Sequence, residues 1–197
     1  MLLLLEGEWL FSEMGLKSVR KSILEKYIAD SITDHQLALF LLNDIVRYYR
    51  TMAVDYEFKT VEGVKKKPWG IRNIKLVFSR KLLYAGGLFS VAMTADLRRD
   101  RKISELEALF DMTVIDRLIA ICGKNNCQQV LTSYDRFLGQ LEKPEIREHL
   151  KKLSKEQRGD SIFRDLKNEG HHFTRELLKL FERTFDSTHP IRRAIIF

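Results

Sequence analysis

The sequence predicts an all-α protein, a multi-helix bundle built around a long central pair of helices. Three observations predict it. Apolar residues recur at helical spacing along nearly the whole chain, and no stretch alternates as a strand does. Only three prolines and ten glycines punctuate 197 residues, while 31% of the residues are charged, the profile of long helices with short connections. At 45% hydrophobic composition the chain can fill one compact core, so residues 1–197 read as a single helical domain.

The opening MLLLLEGEWLF is apolar and predicts a helix over 1–14, followed by another over 16–30. It has no basic leader and no small-residue cleavage pattern, so it does not read as a signal peptide. A start inside a hydrophobic run implies that this end packs into the core or that a larger protein preceded it. Asp34 precedes HQLALFLL as a cap would and predicts a long helix over 34–58. The stretch KTVEGVKKKPWG (59–70), with Gly, Pro and a lysine run, reads as a mobile basic loop before a helix over 70–96. Shorter helices follow at 102–111 and at 113–122, the second opened by the cap-like Thr113. The periodicity continues over 125–141 and over 144–154, where Pro144 suits a first helical turn. A loop SKEQRGD (154–160) leads to Asp160 and Ser161, the start of a helix over 160–184, and a short helix at 189–196 ends the chain.

The net charge of +7 is unevenly spread. Between Val61 and Lys102 there are eleven Lys/Arg against three acids, which leaves the rest of the chain at −1. Such a concentration is an electrostatic footprint for phosphate or nucleic acid, or else a solvated basic face. Two cysteines, Cys122 and Cys127, are too few for a disulfide framework and lack zinc-site companions, which points to reduced thiols and a cytoplasmic location. The longest uncharged run, between Lys81 and Asp96, is shorter than the roughly 20 residues a spanning helix needs, so no membrane partner is expected.

On the 34–58 helix, Asn43, Arg47 and Arg50 share one stripe, with Asp44 and Asp55 beside it. The 70–96 helix has a cationic first half, IRNIKLVFSRK, and a second half, LLYAGGLFSVAM, that is apolar all round and must be buried. Gly86 and Gly87 each cost about 1 kcal/mol in a helix interior relative to alanine, so they suggest a close crossing. If the two helices pack antiparallel, Arg72, Asn73, Lys75 and Arg80 approach Asn43, Arg47 and Arg50 at a basic cleft suited to phosphate oxygens. The alternative is an internal network in which Arg47, Arg50 and Arg80 pair with Asp44, Asp55 and Glu57.

The phrases FLLNDIVRYYRTMAVDYEFK, WGIRNIKLVFSRKLLYAGGL, FRDLKNEGHHF and HPIRRAIIF resemble the C-terminal helical portion of bacterial putative nucleotidyltransferases of the polymerase-beta type. The likeness extends through most of the chain and rests on overall phrasing. In that family the chemistry belongs to an N-terminal α/β domain with a Gly-Ser turn and spaced metal-binding carboxylates. Neither element occurs here, since the chain has no Gly-Ser dipeptide and no strand-borne Asp-x-Asp. The resemblance therefore implies a helical companion that helps hold nucleotide or acceptor, without catalysis of its own and without a cofactor. It also implies a missing N-terminal domain as partner.

FRDLKNEGHHF (163–173) admits three readings. A metal site is disfavoured because the adjacent His171 and His172 point about 100° apart on a helix. Arg164 and His171 resemble the R-x(4–6)-H signature of HEPN ribonucleases, although Arg183 and His189 match the spacing equally well. The third reading is a packed polar face in which Asn168, His171 and His172 line a ligand and Gly170 lets a neighbour approach. The expected function is thus binding of a nucleotide or nucleic-acid phosphate, with a HEPN-like ribonuclease or an oligomerising interaction module, a homo-oligomer, as alternatives.

Overall fold

The computed structural model describes residues 1–29, 34–61 and 68–195, except the side chains of 57–61. Among the described residues there are ten helices and no strand, the all-α bundle that the periodicity predicts. They are α1 (Leu2–Leu5), α2 (Glu13–Tyr27), α3 (Leu39–Val61), α4 (Trp69–Met93) and α5 (Arg99–Asp111). Then follow α6 (Val114–Cys122), α7 (Lys124–Glu142), α8 (Pro144–Lys152), α9 (Ser161–Thr184) and α10 (Pro190–Ala194).

The first expected helix is the main departure. In place of one helix over 1–14 there is the single turn α1, because Ser12 starts a new helix: its Oγ accepts the Gly15 N–H at 3.0 Å and α2 begins at Glu13. Leu4 and Leu5 enter the core, whereas Trp9, Leu10, Phe11 and Met14 stay exposed. Helix α3 runs to Val61, beyond the expected 58, and residues 62–67 of the expected basic loop lie outside the described residues. The other expected loop, 154–160, contains a 3-10 turn, Lys155–Gln157, closed by a capping box between Ser154 and Gln157.

Helix α4 is the spine of the bundle. By length and composition it could cross a membrane, but its most apolar stretch is 56% buried inside the protein, as a core helix is. It runs antiparallel to α3, with Tyr84 stacked on Tyr49 at 4.8 Å and Gly87 beside Ile45. The Gly86–Gly87 pair marks the close crossing the sequence suggests. A Cβ on Gly86 would lie 2.6 Å from Val114 Cγ2 of α6, and one on Gly87 would lie 2.8 Å from Leu5 Cδ2 of α1.

Near its middle, α4 contains a π-helical turn, Leu76–Arg80. Residues eight apart in a regular helix point about 80° from one another, but one inserted residue brings them back to nearly the same line. Arg72 and Arg80 accordingly both reach Tyr56 of α3, while Asn73 and Lys81 both face α9. Helix α9 lies parallel to α4, since Trp69, Val77 and Phe78 meet Phe163, Gly170 and Phe173 in ascending order. Phe78 also stacks on Phe137 of α7 at 4.2 Å, which joins three helices in one aromatic centre.

Gly170 fixes this contact, because a Cβ there would fall 2.4 Å from Val77 Cγ1. An unobstructed Gly→Ala change in a helix gains about 1 kcal/mol. Here we expect Gly170→Ala to destabilise by about 1–3 kcal/mol through overpacking, and Val77→Ala in the same chain to recover part of that loss. Urea denaturation of the two single variants and the double variant checks this, and a stabilised Gly170→Ala protein contradicts the contact.

Candidate functional site

The antiparallel register decides where the expected cationic cleft goes. Arg72 and Arg80 meet the C-terminal part of α3, whereas Arg47 lies nearer its start. Carboxylates stand beside three of the arginines. Arg80 is bound to Glu6, and its Nε donates to the Tyr56 hydroxyl at 3.2 Å. Arg47 Nη1 reaches Asp44 Oδ1 at 3.4 Å on the exposed surface. Arg72 lies over the Tyr56 ring at 4.1 Å and 3.9 Å from Asp55 Oδ2, although its buried Nε and Nη2 make no hydrogen bond. Asn43, Arg50 and Lys75 are exposed. Tyr48 donates to Glu6 Oε1 at 2.8 Å, and Tyr49 stacks on Tyr84.

The other face of α4 differs. Parallel packing sets the first turns of α4 and α9 side by side, and the 154–160 connection brings Arg158 over the Trp69 ring at 5.8 Å. Asp160 holds this corner. Its Oδ1 accepts the Phe163 N–H at 2.9 Å as the cap of α9, and its Oδ2 lies 2.8 Å from His149 Nε2 of α8. The result is a pocket of about 340 Å³ lined by Trp69, Asn73, Arg158, Phe163, Arg164, Lys167 and Asn168. Three of these are cations and none is an acid.

The cations in the pocket have no carboxylate partner among the described residues. Lys167 is half-buried and donates only to Asn73 Oδ1, at 2.9 Å. Burial, then the charge of Arg158, lowers its pKa below the ordinary lysine value. Two turns further along, Lys81 donates to Thr174 Oγ1 at 2.7 Å, and burial and Lys167 lower its pKa too. Trp69 packs on Phe163 at 4.7 Å, and its buried indole N–H has no acceptor. An unmet buried donor costs about 1–3 kcal/mol.

No protein family, curated protein or solved structure matches this chain.

Of the residues the sequence singled out, Asn73, Asn168 and Arg164 come together here. His171 is exposed on the same face as Arg164, about 10 Å further along the helix, and does not line the pocket. His172 Nε2 stands 3.8 Å from Glu176 Oε1. Among the described residues no group of three or more His, Cys, Asp or Glu is placed to hold a metal ion. Sequence reasoning missed Arg158 and Lys167 as site residues. Lys167 carried a signal, since it shares a helix side with Arg164. Arg158 carried none, because its place depends on the turn before α9.

Asp160 anchors the pocket, and hydrogen bonding by the Phe163 N–H holds its carboxyl below the usual 3.8. With the folded-state value depressed, its contribution to stability is present above pH ~4 and lost as pH falls through that lowered value. We expect Asp160→Ala to cost about 1 kcal/mol at neutral pH. The gap between wild type and variant should narrow at pH ~3, as read by urea denaturation at both pH values, and an unchanged gap contradicts the ionised cap.

Proposed function

We propose that this chain is a binding module that takes up the phosphate of a nucleotide or nucleic acid in the pocket between α4 and α9. The observation that carries the reading is the acid-free lining with three cations. Arg158, Arg164 and Lys167 share one hollow and pair with no carboxylate among the described residues, whereas Arg47, Arg72 and Arg80 each have one beside them. Lys167 is half-buried whereas Arg158 and Arg164 are exposed, and a phosphate group would meet all three through charge-assisted hydrogen bonds. The first turn of α4 adds partial positive charge at the same end, while that of α9 is already answered by the Asp160 carboxylate. A pocket of about 340 Å³ suits a mononucleotide-sized group.

No carboxylate or imidazole lines the pocket, and its cations offer charge and orientation to a bound phosphate. Binding without catalysis is also what the resemblance to the helical portion of nucleotidyltransferases implies. On that reading the helical bundle presents a nucleotide phosphate to a catalytic domain, with Asn73 and Asn168 orienting the ligand. Cytoplasmic location, where nucleotides are plentiful, belongs to the same proposal.

Trp69 supplies the readout. In a Trp9→Phe background, which removes the exposed second indole, titration with ATP should change the fluorescence saturably. Arg164→Ala and Lys167→Met should each weaken binding about tenfold or more. Salt should weaken it further, and competition by a short single-stranded oligonucleotide tells nucleic acid from free nucleotide. Equal affinity in the wild type and the double variant overturns the assignment.

A further inference from the structure

The segment 6–12 between α1 and α2 forms no helix, yet side chains hold it in place along its length. The buried Arg20 of α2 donates Nε to the Leu3 carbonyl at 3.1 Å and Nη2 to the Gly7 carbonyl, while its Nη1 reaches Asp111 Oδ1 at 3.0 Å. Glu6 is bound to Arg80 and accepts the Tyr48 hydroxyl at 2.8 Å. At the far end Ser12 caps α2.

These anchors hold large apolar side chains outward. Phe11 is 98% exposed, Leu10 84%, Met14 77% and Trp9 55%. Gly7 packs against the Leu3 backbone, which brings the exposed Leu2 and Leu3 of α1 to the same end of the protein. Phe11 precedes the cap, a position from which an apolar residue ordinarily folds onto the fourth residue of the helix, here Leu16. Its exposure shows that it makes no such contact within the chain.

A covered aromatic side chain contributes about 150–250 Å², so Trp9 and Phe11, with three leucines and Met14, reach the roughly 800 Å² that each partner gives to a standard interface. A soluble monomer rarely leaves more than a few hundred Å² of contiguous apolar surface open. The charges around the surface are balanced. Residues 6–21 hold three acids, Glu6, Glu8 and Glu13, and three bases, Lys17, Arg20 and Lys21. Nucleic acid or an anionic lipid surface calls for an excess of positive charge, which is missing here. A surface with both signs on its border suits a copy of itself: Glu8 is exposed beside Trp9, and the exposed Lys21 lies two turns along the same face of α2 as Met14.

We infer that this surface pairs with the same surface of a second copy of the chain, in a two-fold dimer that covers Trp9, Leu10, Phe11 and Met14. A two-fold axis sets the acid border of one copy against the basic border of the other. Because the segment is already fixed by Arg20, Glu6 and Ser12, little ordering opposes the pairing. None of these residues lines the α4–α9 pocket, so the dimer is independent of phosphate binding there.

Sedimentation equilibrium of the wild-type chain over a micromolar concentration range tests the pairing. The mass should rise to twice that of the chain and stop there, since an isologous contact closes on itself. Acrylamide quenching reads the surface directly, because Trp69 is buried and Trp9 is the exposed indole, and it should fall by about half or more as the dimer forms. Leu10→Ser combined with Phe11→Ser, both at exposed positions, should weaken pairing about tenfold or more while the urea midpoint and ATP binding stay unchanged. A chain that stays monomeric, a dimer that persists in the double variant, or a dimer in which Trp9 remains open to acrylamide overturns the assignment. So does a monomer that floats with phosphatidylcholine vesicles, which would put a lipid surface on this face instead.

Discussion

The contact between Gly170 and Val77 is the constraint on which the arrangement rests. With no Cβ at position 170, α9 comes close enough to α4 for its side chains to interlock with the π-helical turn. On one side of the crossing Lys167 reaches Asn73, and on the other Lys81 reaches Thr174. Because the helices are parallel, their first turns lie together at one end of the bundle, and the connection before α9 closes over them with Arg158. Packing at a single small residue thereby sets the distance between groups that belong to different helices and stand about 90 positions apart in the chain.

The same spine sorts its own charges. One face of α4 looks toward α3 and α1, and its arginines are answered by Asp55, Tyr56 and Glu6. The face about 100° round looks toward α9, and the cations there, Lys81 and Lys167, meet only neutral oxygens from Thr174 and Asn73. Paired charges of the first kind hold helices in register, although exposed pairs such as Arg47 with Asp44 contribute little. Cations of the second kind are kept apart from acids at some expense in solvation, and that is the arrangement expected of a site awaiting an anion.

Much of the fold was legible because it depends on period and punctuation. Nine of the ten segments, the caps Thr113 and Asp160, Pro144 in a first turn, and the tight crossing at Gly86 and Gly87 follow from local chemistry, whereas Asp34 accepts the Arg99 N–H and does not cap α3, which starts at Leu39. The first helix was not, since Ser12 as a cap competes with a continuous apolar pattern and wins. The site was legible only in fragments. Residue types announced a basic region, and Asn73, Asn168 and Arg164 were named in it. The partition between paired and unpaired cations depends on the π turn, which rotates the two halves of α4 relative to each other and which no residue in LVFSR announces. Arg158 depends on the course of the turn before α9, so periodicity alone does not reveal it.

The central claim is that Lys167 is held charged in the pocket without an acidic partner, and its own titration tests it most directly. Lysine side-chain NMR, with the Lys167 signal assigned by its loss in Lys167→Met, should show it titrating below the ordinary 10.5 in the free protein. The value should move upward when ATP is added, as an arriving phosphate favours the charged form. Titration at or above 10.5, with no movement on adding nucleotide, contradicts the account.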